Sequence, residues 1–332
     1  MRLSFPRLGT ALVRPLLALS VLAGALAAPA VQAQAWPGKQ PIKLVAVFPP
    51  GGSVDQVARL LAPVLQQRLG QNVIVENKGG ASGAIGTAAV AQAPADGYTF
   101  AVVFDTHGVN PALQPNLPFD TKRDLTAVSL IGTGAMVIAT VASSPYKSFG
   151  DVVKAAQSGS SISYGSIGNG SLGHLAVTML AKSGKMELIH VPYRGGGPLM
   201  SDAIAGHVPV SVGSVFLTKP HIDSGKLRAL AVTTSQRSAN LPGVPTIAES
   251  GFAGFDAPAW WAVLAPAKTP PEIVQRMNAE INAALKLPEV ADKLAAQGIV
   301  TRSDTPAAAQ SFIEQQLDTW AQVVKANGIK SE

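Results

Sequence analysis

The 332-residue chain has no cysteine. That excludes disulfides, thiolate chemistry and a lipidated cysteine anchor, so the fold must be held by burial alone. Patterns that hold metals are missing too. The five histidines (His107, His174, His190, His207 and His221) include no i, i+4 pair and have no accompanying carboxylate cluster. No Gly-x-Ser-x-Gly elbow occurs, since Gly165-Ser166-Ile167-Gly168 and Gly80-Ala81-Ser82-Gly83 have the wrong spacing for a serine hydrolase. Lysines and arginines are scattered rather than clustered with aromatics, which argues against nucleic acid as a partner. Beyond the N-terminus, apolar runs such as Ala135–Ala142 and Trp260–Pro266 are only as long as buried strands.

What is present begins with an export signal over residues 1–35. Arg2, Arg7 and Arg14 form a basic start, and Leu16–Ala28 is an apolar run too short for a comfortable membrane span. Cleavage after Ala33 or after Ala35 satisfies the small-x-small rule. The net charge of +6 is partly a property of this segment. Without its three arginines the chain has 23 basic and 20 acidic residues, or +3.

The rest of the chain alternates short β-rich runs with helical segments, which predicts an α/β fold with largely parallel sheets. Its length suggests two domains. Ile42–Phe48 reads as a strand buried on both faces. In the next helix Ser53 is the expected N-cap, Asp55 lies in the first turn and Gly70 terminates the run. Asn72–Glu76, Ala84–Ala93 and Tyr98–Phe104 read as strand, helix and strand, followed by an irregular stretch from Asn110-Pro111 to Leu125. Ser143-Ser144-Pro145 marks the expected crossing between domains, and Trp260–Leu264 the returning strand. Thr269 is expected to cap a helix entered through two prolines, and a last helix is expected from about Pro306 to Ala326.

The strand-end turns are neutral and glycine-rich. Phe48-Pro49-Pro50-Gly51-Gly52-Ser53 and Gly80-x-x-Gly83-x-x-Gly86 each lead into a helix, whose free N–H groups and positive dipole end can hold an anion without a cationic side chain. The second turn lacks the Gly-x-Gly-x-x-Gly spacing of a dinucleotide site. Asp105-Thr106-His107-Gly108 and Ser166–Ser171 also follow strands, and ligands of open α/β sheets bind outside the strands' carboxyl ends. This inventory of hydroxyls, amides and bare N–H groups fits binding better than turnover, and no cofactor is expected.

In order and spacing, a series of motifs resembles the Bug family, the periplasmic substrate-binding proteins of tripartite tricarboxylate transporters. The motifs are Phe48-Pro49-Pro50-Gly51-Gly52-Ser53-x-Asp55, Val75-Glu76-Asn77-Lys78, Asp96-Gly97-Tyr98-Thr99, Thr106-His107-x-x-Asn110-Pro111, Tyr164-Gly165-Ser166-x-Gly168-Asn169-Gly170-Ser171, His190-Val191-Pro192-Tyr193-Arg194-Gly195 and Gly225–Thr233. The resemblance spans residues 36–332. It implies a two-domain Venus-flytrap fold, each domain a mostly parallel sheet flanked by helices. One domain would be 36–141 plus 262–332 and the other 142–261. It further implies a small carboxylate held in the cleft, membrane transporter subunits as partners, a periplasmic location and a monomer. A ligand-presenting sensor module and an exported hydrolase are the alternatives. Where family members often carry Asp-Asn this chain has Gly213-Ser214, and Asp105 replaces a usual small neutral residue.

The expected ligand contacts are Phe48, Pro50, Gly51, Gly52, Ser53, Ala81, Gly83, Thr106, His107, Ser166, Gly168, Asn169, Gly170, Ser171 and Tyr193. Arg194 is either a carboxylate clamp or a surface cation. Trp260 and Trp261 should face opposite ways, one in the core and one at the hinge.

Overall fold

A computed structural model describes residues 1–4 and 36–329. The export signal and both cleavage sites fall within 5–35, outside the described residues. The chain divides into Met1–Ala35 and Trp36–Glu332, and the second unit contains both sheets. Among the described residues no helix is long and apolar enough to cross a membrane.

Two mixed sheets form the frame. The first has the order β11-β4-β10-β3-β1-β2. Its strands are β1 (Ile42–Ala46), β2 (Val73–Asn77), β3 (Thr99–Phe104), β4 (Leu125–Gly134), β10 (Ala259–Pro266) and β11 (Ile299–Thr301). The second has the order β7-β6-β8-β5-β9. It contains β5 (Met136–Val141), β6 (Ile162–Ser166), β7 (Leu188–Pro192), β8 (Val210–Ser214) and β9 (Leu227–Val232). Pairing is parallel among β1, β2 and β3 and among β6, β7 and β8. The strands that carry the chain between sheets, β5 and β10, run antiparallel to their neighbours.

This pairing moves the first crossing. β5 is hydrogen-bonded to β8 and β9, so Met136–Val141 belongs to the second lobe and not, as the sequence predicts, to the first. The chain passes between sheets at Ala135, well before Ser143-Ser144-Pro145. An apolar strand carries no mark of which sheet it joins. β10 returns the chain to the first sheet at Ala259, one residue before the expected strand start at Trp260.

Local sequence explains the elements. All eight residues of β10 are buried, as a central strand covered on both faces requires. α1 (Ser53–Leu69) turns Val57, Leu61, Leu65 and Leu69 to the core and stops at Gly70, which is left-handed at φ 63°. Burying each such leucine contributes about 1.5–3 kcal/mol. α2 (Ala84–Ala91) packs so closely on β1 that a methyl on Gly86 would lie 2.4 Å from the Lys78 carbonyl oxygen and 2.9 Å from Val47 Cα.

α3 (Thr106–Leu113) occupies part of the stretch expected to be irregular; Gly108 and Pro111 inside it conceal the helix. α4 (Thr121–Asp124), α5 (Phe149–Gln157), α6 (Leu172–Gly184), α7 (Gly196–Ala205) and α8 (Val215–Asp223) come next. α9 (Pro271–Leu285), α10 (Pro288–Ala296) and α11 (Pro306–Asn327) are the C-terminal helices. Thr269 does not cap α9; Pro270 holds that position, without a side-chain bond.

Candidate ligand-binding cleft

The cleft is built from strand-end turns of both lobes. The turn after β1 is held by Asp55, a buried first-turn acid of α1. Its carboxylate accepts from Gly51 N–H at 3.0 Å, Arg59 Nε at 2.8 Å and Asn77 Nδ2 at 2.9 Å. Gly51 has φ +83°, a conformation that favours glycine. Ser53 is not the cap. Gly52 occupies that position, Ser53 is the first helical residue, and its hydroxyl accepts from Trp261 Nε1 at 3.3 Å. A second glycine displaces the cap by one residue and frees the serine for the inter-strand indole.

After β2, Ala81 and Ser82 stand at φ 47° and 52°, left-handed without being glycine. α3 supports them: Asn110 Nδ2 donates to Ser82 C=O at 3.1 Å, and Gln114 Nε2 to Ala81 C=O at 3.1 Å. The Ser82 hydroxyl donates across the cleft to Asn169 C=O, so the lobes touch here. They touch again where Gly52 meets the start of α7, a methyl on Gly52 lying 3.7 Å from Gly196 N.

Between the lobes lie two spaces, both bordered by Phe48 and Ile167. The outer chamber is about 880 Å³, and among the described residues no acid lines it. The inner void, about 10 Å³, has room for one water at most. It is lined by Gly52, Ser53, Gly196 and Ser214, at the starts of α1, α7 and α8, and by no charged side chain among the described residues. Three helix N-termini from two lobes thus converge on one point, where their dipoles favour negative charge.

The predicted residues sort into three groups. Phe48, Pro50, Ala81, Gly168, Asn169, Gly170 and Tyr193 line the chamber, and Phe48, Gly52 and Ser53 the void. The others line neither. Gly51 is exposed in its turn. Gly83 lies under the β1 turn, where a methyl would sit 3.0 Å from Val47 Cγ2. Thr106 and His107 are buried in α3, and burial lowers the His107 pKa to about 4.

Ser166 and Ser171 form a buried knot beneath the cleft. Ser166 Oγ lies 2.7 Å from His190 Nε2 and accepts from Ser171 Oγ at 3.1 Å. His190 stacks on His174 with ring centroids 4.0 Å apart. Burial, then the neighbouring His174, lowers the His190 pKa to about 3. His190 Nδ1 has no hydrogen-bond partner, so no acid orients the ring as a hydrolase triad would need.

Asp105 is fully buried and its pKa is raised well above 3.8 by desolvation. The N–H groups of Thr106 and Leu172, at the starts of α3 and α6, partly offset this, yet neither carboxyl oxygen completes a hydrogen bond. Ile85, Leu113, Gln114 and Arg194 also line the chamber. Of these only Arg194 carries a signal in the sequence, as a candidate clamp. Ser214 stands out there solely as a departure from the family pattern, and Ile85, Leu113 and Gln114 have no local mark at all. Trp260 and Trp261 are fully buried. Trp260 packs edge-on to Phe312 of α11, while Trp261 lies 4.9 Å from Phe104 and 6.3 Å from Phe216 of the second lobe.

Two lobes joined by crossing strands, with a cleft at the strand ends, define a periplasmic-binding-protein fold. Residues 57–329 match the family described as tripartite tricarboxylate transporter family receptor. The chain is 37% identical over 308 residues to Protein BugT of Bordetella pertussis, covering 92% of this chain and 94% of that one. Among solved structures, the periplasmic binding protein BugD superposes with a TM-score of 0.85 at 31% identity, over 89% of this chain and 99% of the other. An R. palustris protein solved with adipate gives 0.85 at 33% identity, with the same coverage. The malate-bound MatC protein of Rhodopseudomonas palustris gives 0.82 at 28%, covering 86% and 99%. The chain belongs to the tripartite tricarboxylate transporter receptor family.

Proposed function

We propose that this protein captures a small carboxylate in the interlobe cleft and delivers it to the membrane subunits of a tripartite transporter. It would work in the periplasm, as a monomer, once the export signal is removed. The observation that carries this reading is the convergence of α1, α7 and α8 N-termini on an acid-free recess. The recess itself has room for one water at most, so a carboxylate would lie in the adjoining chamber with its charge turned toward these N-termini, and Asn169 would add a hydrogen bond. Phe48, Gly168, Gly170 and Tyr193 would close over it. The crossings at Ala135 and before Ala259 would act as hinges between 36–134 with 259–332 and 136–257, and closure would signal occupancy to the transporter.

Turnover is not part of this reading, because Ser166 and His190 are tied to each other beneath the cleft and Ser166 is fully buried. Calorimetric titration of ligand-free protein with carboxylates should give one site per chain. Mass spectrometry of the released ligand should return it unchanged. A chemically altered ligand, or the absence of binding by any carboxylate, would overturn the reading.

A further inference from the structure

We infer that the preferred ligand is a carboxylate whose body is an uncharged aliphatic chain or ring, rather than a compact hydroxy acid or a tricarboxylate. This inference rests on the carboxylate reading of the cleft and narrows it.

The chamber wall is the first reason. Phe48, Pro49, Ile85, Leu113, Ile167 and Tyr193 all line a space of about 880 Å³. That is far larger than a four-carbon acid fills, and it is of the size that takes larger organic molecules. Ile85, in the first turn of α2, is 57% exposed. One exposed isoleucine means little alone. Here it continues a wall made with Pro49, Leu113 and Ile167, and a ligand lying on that wall would cover it.

The second reason is the small number of free donors. Tyr193 turns its hydroxyl away, donating to Asp202 Oδ2 at 2.9 Å, and leaves its ring to the chamber. The Asn77 amide donates to Phe48 C=O at 3.0 Å and to Asp55. Gln114 donates to Ala81 C=O and to Asn110 Oδ1. The Ser82 hydroxyl is spent on Asn169. Among the described residues Arg194 is the one cation in the wall, at its exposed side. The remaining groups suffice for one carboxylate and leave little for several hydroxyls or three charges. Extra polar groups would lie unpaired against apolar walls, which is costly.

The test is a calorimetric series on ligand-stripped protein with hexanoate, cyclohexanecarboxylate and phenylacetate in one arm and malate and citrate in the other. At least one acid of the first arm should bind about tenfold or more tighter than either of the second. The neutral change Ile85→Asn, at a position 57% exposed, should weaken the first arm by a similar factor and the second arm by less, with thermal unfolding as the check that the variant is folded. Malate or citrate binding as tightly as the first arm would overturn this inference while sparing the carboxylate reading. Binding of no acid in either arm would overturn both. An Ile85→Asn variant with wild-type affinity throughout, or with equal losses in both arms, would overturn the apolar-wall argument.

Discussion

Replacing Gly52 by valine separates two ways of holding an anion. Gly52 has φ −80° and ψ 167°, which any residue adopts, so the substitution introduces no backbone strain. Its Cβ would make ordinary contacts, 3.6 Å from Pro49 C=O and 3.7 Å from Gly196 N. The two γ-methyls beyond it have to enter the space where the α1 and α7 N-termini meet. Overpacking of this kind costs about 1–3 kcal/mol. Because the crowding exists only when the lobes touch, the cost falls on closure and hence on ligand affinity. At about 1.4 kcal/mol per decade it amounts to roughly a fivefold to hundredfold loss. Arg194→Ala is the paired control. An exposed cation contributes up to about 1 kcal/mol, or roughly fivefold. Tryptophan fluorescence titration suits both variants, since Trp261 sits between Phe104 and Phe216 at the lobe junction. The melting temperature of ligand-free Gly52→Val should stay near wild type. Wild-type affinity in Gly52→Val, together with a hundredfold loss in Arg194→Ala, would refute capture by backbone and dipoles.

Buried polar groups give two more expected outcomes. Ser166→Ala should lower stability more than affinity, because it takes the shared partner from part-buried His190 Nε2 and from buried Ser171 Oγ, at a cost of about 1–3 kcal/mol in denaturant unfolding. A large affinity loss with unchanged stability would place Ser166 against the ligand instead. Asp105→Asn should stabilise the protein at neutral pH. The folded pKa of Asp105 is raised above 3.8, so its carboxyl favours folding least once pH exceeds the folded value. The gain should shrink as pH falls toward about 4 and disappear below it, where the carboxyl is protonated in both states. A pH-independent difference in thermal unfolding would show that ionisation of Asp105 is not the cause.

The βα units are legible in the sequence because local rules govern them: continuous apolar strands, Gly70 as a helix stop, and neutral glycine turns ahead of helices. So are the turn after β1, the turn after β2 and the Ile167–Gly170 loop that bound the cleft. The remaining features follow from long-range packing. Whether β5 joins the first or second sheet depends on which strands offer free edges, and an apolar hexamer carries no such information. The hydroxyls of Ser166 and Ser171 have the look of ligand donors at a strand end, yet His190, 24 residues later on β7, absorbs Ser166. Ser53 has the look of a cap, but a glycine ahead of it takes the role and the Trp261 indole, 208 residues away, claims the hydroxyl. Ile85 and Leu113 became chamber wall through the packing of α2 and α3, since exposure of an apolar side chain to a cleft is a property of the assembled lobes. Local sequence sets which groups stand at a turn, whereas partners distant in the chain decide which of those groups remain free for a ligand.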